Sequence, residues 1–155
     1  RKKDYTYVYT RQAIDTLKKE GYYLLAISLS PKFIVDLFAE HFGFDKSYGI
    51  FYPTGATEKF DGTTDFEDLM KNKRAIIKRA VEKENLTLKD SYGFGDTDGD
   101  ISLLETVENP IAMNPNVKLF RRADLAGWRI VEERKDVMLE LKDGKYKLVT
   151  EFTMN

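Results

Sequence analysis

The spacing of apolar positions changes repeatedly along the chain, and each change marks an expected element. Residues 12–20 carry apolar side chains at helical spacing and stop at Gly21, a common helix terminator. Residues 22–27 form an unbroken apolar run of the kind found in a buried parallel strand. Ser28, Leu29, Ser30 and Pro31 then break the strand and open a second helix, with Pro31 in its first turn. That helix runs through Phe33, Ile34, Leu37 and Phe38 to Gly43. Residues 48–64 are rich in Gly, Thr and aromatics, which predicts short strands or a hairpin. Residues 65–84 form the longest helical pattern, with Leu69, Ala75, Ile76, Ile77, Ala80 and Val81 making its apolar stripe.

Beyond this helix the pattern predicts a strand ending at Asp96, a helix through Leu104 and a short strand over 110–113. A turn at Asn114 and Pro115, a helix over 117–125 and a strand over 128–131 follow. Strands alternating with helices predict an α/β fold with a parallel sheet. Residues 137–152 instead alternate around Lys142-Asp143-Gly144-Lys145, and the Asp-Gly pair suits the primed turn of a C-terminal β-hairpin. There is no internal repeat and no low-complexity linker, so the 155 residues are expected to form a single domain, 1–155.

Composition narrows the possible functions. With 25 basic and 26 acidic residues the net charge is −1, which gives no polycationic surface for nucleic acid. The absence of cysteine excludes disulfides, thiolate nucleophiles and thiolate metal sites, and fits a cytoplasmic protein. No apolar run has the length of a membrane span, and the residues from Arg1 lack the apolar core of a signal peptide. The start at Arg1 rather than Met reads as a fragment or a processed product.

The richest chemistry lies in Gly95-Asp96-Thr97-Asp98-Gly99-Asp100. In an α/β sheet this places acids at the carboxyl end of a strand, where ligands bind. Hard oxygen ligands there suit Mg²⁺, which is typically held by one or two carboxylates and a phosphate. Two further polar sites precede it in order: Ser28 after a strand and Lys73 early in a helix.

This order resembles the haloacid dehalogenase superfamily of phosphotransferases, in particular its phosphoserine-phosphatase-like branch. The family's second motif, a Ser or Thr after an apolar strand, is matched by residues 26–31 with Ser28; its third, a Lys at a helix start, by residues 72–77 with Lys73. The fourth, Gly-Asp-x-x-x-Asp, is matched by residues 95–100, and the neighbourhood of residues 109–115 is also similar. The resemblance covers residues 10–131 and implies a three-layer Rossmann-like core acting on a small phosphorylated substrate with Mg²⁺. It assigns Ser28, Lys73, Asp96 and Asp100 to catalysis, Ser28, Leu29 and Lys73 to the phosphate, and Asp96 and Asp100 to the metal. These roles meet the physical need of phosphoryl transfer, which is to neutralise charge on the transferring oxygens. Lys73 supplies a point charge, Ser28 a hydroxyl donor beside backbone N–H groups, and Asp96 a metal ligand. Asp100 is placed to bind metal-bound water or to orient Lys73, and Asp98 is the acid least tied to the pattern.

The family's first motif, Asp-x-Asp, carries the nucleophile and the general acid/base. The only such pairs in the sequence lie within residues 96–100, so the chain reads as the carboxyl-terminal part of a phosphatase, inactive alone and without the cap. Such a sheet is expected to expose an edge, and so to self-associate or to be covered by residues 1–10 or another N-terminal segment. Plainer readings stand beside these. Ser28 or Ser30 suits a helix cap, and Lys73 a solvated helix end. Residues 96–100 suit an Asx turn with a helix cap, or part of a calcium loop that lacks its closing Glu. Asn114 suits either a turn or a ligand contact, and His41 is a helix-end residue, with no second His or Cys to build a zinc site. The competing class is a non-catalytic binding or assembly module that keeps the fold.

Overall fold

The computed structural model describes residues 7–50 and 72–155. In chain order the elements are α1 (Val8–Lys19), β1 (Leu25–Pro31), α2 (Lys32–Phe42), β2 (Lys46–Ile50), α3 (Lys73–Lys83) and β3 (Tyr92–Gly95). A 3₁₀ turn at Asp98–Asp100 leads into the single-turn helix α4 (Ile101–Leu104). Then come β4 (Asn109–Met113), α5 (Val117–Ala126), β5 (Arg129–Arg134), β6 (Val137–Lys142) and β7 (Lys145–Val149). The chain divides into two compact units, Leu17–Ile76 and Arg1–Thr16 with Ile77–Asn155.

In the unit Leu17–Ile76, β1 and β2 pair in parallel, with Leu25 opposite Lys46 and Ile27 opposite Tyr48. A parallel pair needs a crossover, and α2 provides it. Gly49 allows this helix to lie close, because a Cβ there would stand 2.7 Å from Lys32 Cα and 2.9 Å from Val35 Cγ2. Ile50 and Ile76 are buried together, with Ile27 and Tyr48 packed against them, so the first turn of α3 rests on this sheet. Of the short strands or hairpin expected over 48–64, residues 48–50 belong to a parallel strand. Residues 51–64, and residues 65–71 of the expected long helix, lie outside the described residues.

The strand expected over 22–27 is displaced toward the C-terminus. Leu24 is held just before it, its amide donating to Asp45 Oδ2 at 2.7 Å and its carbonyl accepting from the amides of Asp45 and Lys46. Pairing then carries β1 on to Pro31, with an irregularity in register between Ile27 and Pro31. Ser28 and Ser30 therefore lie within the strand. Pro31 is the N-cap of α2, at φ −52° and ψ 137°, rather than a first-turn residue. Its ring fixes φ near that value and it has no N–H to donate further, so the strand ends and the helix begins at one residue. Gly43 closes α2 in the left-handed conformation at φ 68°, as its position implied.

In the second unit β3, β4 and β5 run parallel, and β5, β6 and β7 continue antiparallel in the same sheet. Neighbouring strand residues point to opposite faces. Ala112 and Ile130 face a fully buried cluster with Leu104 of α4 and Leu119 and Ala123 of α5. Ile111, Met113 and Val131 point the other way and are buried too. Burial on both faces is what a parallel sheet requires, and removing a side chain such as Leu119 from water contributes about 1.5–3 kcal/mol. The expected C-terminal hairpin is present, and Asp143 and Gly144 both take positive φ, 53° and 72°, as a type I′ turn demands. Its second strand ends at Val149, after which Phe152 turns into the core against the rings of Tyr9, Tyr92 and Phe94.

Helix α1 starts four residues earlier than its apolar spacing indicated. The buried carboxylate of Glu133 on β5 accepts from the amides of Val8 (2.8 Å) and Tyr9 (3.1 Å), two of the donors a helix start leaves without intrahelical partners. The first turn of α1 contains no acid of its own, so this distant Glu supplies the negative charge that the helix N-terminus favours. The predicted α/β fold with a parallel, Rossmann-like sheet is thus the observed one.

Candidate active site

Strand β3 ends at Gly95, and Asp96 follows it at the carboxyl end of the parallel strands. The loop is built by Asp100. Its buried carboxylate turns back so that Oδ2 accepts from the amides of Asp96 (3.0 Å) and Thr97 (3.2 Å). Gly95 makes room for this carboxylate, because a Cβ there would stand 2.4 Å from Asp100 Cβ and 2.8 Å from Cγ. From the other side, the backbone amide of Asn116 donates to the carbonyl of Asp96 at 2.8 Å. Asp96 is therefore gripped through both its N–H and its C=O.

Asp98 is turned elsewhere. Its Oδ1 accepts from Asn116 Nδ2 at 2.8 Å and its Oδ2 lies 3.5 Å from Lys118 Nζ. The Asn116 amide, helped by the Lys118 ammonium, holds this carboxyl below the usual carboxylate range. Among the described residues no three His, Asp or Glu side chains are arranged to hold a metal ion. A protein cage of the calcium-loop kind does not match this donor set. A cation that takes one or two carboxylates and completes its shell with water and phosphate does, and Mg²⁺ is such a cation.

Lys73 is the first residue of α3, following Asn72, whose Oδ1 accepts from the amide of Ala75 at 3.2 Å. It is not on a solvated helix end: only 8% of its surface is exposed. An ammonium buried at a helix start, where the backbone dipole is also positive, favours negative charge nearby. Ser28 does not cap α2, and neither does Ser30, since the N-cap is Pro31 and makes no side-chain bond. Ser28 Oγ instead accepts from the amide of Ser30 at 3.1 Å, a bond that leaves the hydroxyl hydrogen to donate. Leu29 between them is exposed. Ser28 follows Ile27 and Lys73 stands three residues before Ile76, and Ile27 packs against the buried Ile50–Ile76 cluster within the unit Leu17–Ile76.

Asn114 resolves as a turn residue. At φ 45°, its side-chain amide accepts from Glu133 N at 2.8 Å and donates to Glu133 O at 3.3 Å, extending the pairing of β4 with β5 beyond the strand end. His41 is in the last turn of α2 as expected. The residue that sequence reasoning missed is Asn116, which touches both Asp96 and Asp98. Its place after Pro115 and before an apolar-periodic run is a helix-cap signal, and that signal was available.

The family model for haloacid dehalogenase-like hydrolases matches residues 1–105. The chain belongs to that family. A phosphoserine phosphatase solved as a phospho-aspartyl intermediate analogue superposes with a TM-score of 0.67 at 26% identity, covering 81% of this chain and 58% of the other. A substrate-bound phosphoserine phosphatase gives 0.64 at 26% identity, covering 74% and 54%. Within the family the chain lies on the phosphoserine-phosphatase-like branch. It is 26% identical over 126 residues to a histidinol-phosphatase of Neisseria meningitidis serogroup C (strain 8013), covering 78% of this chain and 56% of the relative. It is 27% identical over 117 residues to an "Inhibition of morphological differentiation protein" of Streptomyces azureus, covering 76% and 42%. The chain thus spans about half the length of the curated relatives it matches.

Proposed function

We propose that this chain carries the phosphoryl- and Mg²⁺-binding part of a phosphomonoester hydrolase. The observation that carries the reading is Asp96, fixed at the carboxyl end of β3 by Asp100 on its amide and by Asn116 on its carbonyl, in a member of a hydrolase family. Asp96 would hold the metal, with Asp100 stiffening the loop and standing as the second candidate ligand. Mg²⁺, when bound, neutralises charge on a phosphoryl oxygen. Lys73 offsets the remaining negative charge, and the Ser28 hydroxyl with the amide of Leu29 orients the phosphate. The substrate is a small phosphorylated molecule, and the setting is cytoplasmic.

Nothing in this set attacks phosphorus. The only Asp-x-Asp pairs lie within residues 96–100, where Asp98 and Asp100 are committed to Asn116, Lys118 and the loop amides. These 155 residues alone therefore bind phosphate without turnover, and the covalent aspartyl-phosphate step needs a carboxylate from additional polypeptide. A non-catalytic module built on the same anion site is the alternative when that carboxylate is absent. Among the described residues β1 and β3 each pair with one strand only, which favours self-association or a covering segment. The test is phosphate release from an aryl phosphate with Mg²⁺. Release no greater than the blank is expected, and turnover that Asp96→Asn abolishes refutes the missing-nucleophile argument.

A further inference from the structure

We propose that Asn116 is a positioning residue that holds the acidic loop in its metal-binding form, an inference that rests on Asp96 being the metal ligand. One side chain does two things at once. Asn116 Oδ1 accepts from Leu119 N at 3.0 Å, capping α5, while Nδ2 donates to Asp98 Oδ1 at 2.8 Å. The backbone amide of the same residue donates to Asp96 O at 2.8 Å. The start of α5 and the loop after β3 are thereby joined at both ends of the Asp96–Asp98 segment.

The chemistry explains why such a tie is needed. Three acids fall within five residues, and Asp100 is the buried one, its carboxylate accepting from the loop's own amides. Asp98 is partly exposed, and without a donor aimed at it its charge repels Asp96 and pulls the loop toward solvent. The Asn116 amide turns Asp98 away and fixes the backbone that presents Asp96. Lys118, 3.5 Å away and itself 80% exposed, adds charge but little direction. Groups that orient a metal ligand from behind are commonly worth tenfold or more in metal affinity.

The two roles of Asn116 separate by substitution. Asn116→Ser keeps a side-chain oxygen able to cap α5 but has no amide to reach Asp98, whereas Asn116→Ala loses both. The measurements are Mg²⁺ affinity by calorimetry, melting temperature, and amide hydrogen exchange at residues 97–99 in metal-free protein. Asn116→Ser is expected to melt near the wild type, bind Mg²⁺ about tenfold more weakly and exchange faster at 97–99. Asn116→Ala is expected to show the same losses and to melt lower. With Asp98→Ala already in place, Asn116→Ser should have no further effect on either affinity or exchange. Wild-type exchange at 97–99 in Asn116→Ser overturns the proposal, as does an effect that persists undiminished with Asp98→Ala. Metal binding indifferent to Asp96→Asn defeats instead the reading of Asp96 as ligand, and the exchange data then still decide whether Asn116 orders the loop.

Discussion

The carboxylate of Asp100 accepts the backbone amide of Asp96 at 3.0 Å, so the loop's buried acid supports the acid that follows β3. Asp100→Ala leaves the amides of Asp96 and Thr97 without this acceptor in a partly buried place. The expected loss of stability is about 1–3 kcal/mol, read from denaturant midpoints. Asp100→Asn retains one oxygen and should lose less. Equal losses for the two variants would show that the charge, rather than the acceptor, matters there.

Gly95→Ala tests the same packing from the strand side. A methyl group 2.4 Å from Asp100 Cβ meets an atom next to the backbone, so relief requires the loop itself to shift. Overpacking of this kind costs about 1–3 kcal/mol, and Mg²⁺ binding should weaken as well. Gly127→Ala is a control of a different kind, with open space for the methyl but a φ of 69°, so any loss there should leave Mg²⁺ binding unchanged.

Tyr9 gives the fold an alkaline limit. Burial is the main cause raising its phenol above the ordinary value near 10, against the lowering effect of the Arg129 hydrogen bond. The folded chain therefore keeps the proton at pH values where the unfolded chain releases it. That contribution to stability is complete below about pH 10 and is lost as pH rises from there through the folded-state value. Tyr9→Phe removes the titrating group, so its stability should fall less steeply above pH 10 than that of the parent. Parallel pH profiles for the two proteins would contradict this.

Local chemistry made most of the fold legible in the sequence, and distant partners account for what it hid. The Asp143-Gly144 hairpin and the Gly43 stop depend on backbone conformations that few residues tolerate, and both appeared where expected. The start of α1 was misplaced because its cap, Glu133, lies 124 residues from Tyr9. The end of β1 was misplaced because strand pairing with β2 decides it. At the candidate site, the acids of residues 96–100 were visible as a cluster, but their division of labour was not. A run of carboxylates does not reveal which one turns back to the amides and which one meets Asn116. The burial of Lys73 was equally hidden, since its neighbours in sequence, Lys71 and Arg74, suggest a solvated end.

The central claim is that Asp96 binds Mg²⁺ and that Lys73 binds phosphate, and calorimetric titration of inorganic phosphate with and without Mg²⁺ tests it most directly. The account predicts weak phosphate binding that Mg²⁺ strengthens, because the positive charge of the metal would favour the anion and the coupling is reciprocal. Asp96→Asn should abolish the Mg²⁺ enhancement, and Lys73→Ala should weaken phosphate binding whether or not the metal is present. Phosphate and Mg²⁺ binding that neither substitution alters would contradict the assignment, even with the fold unchanged.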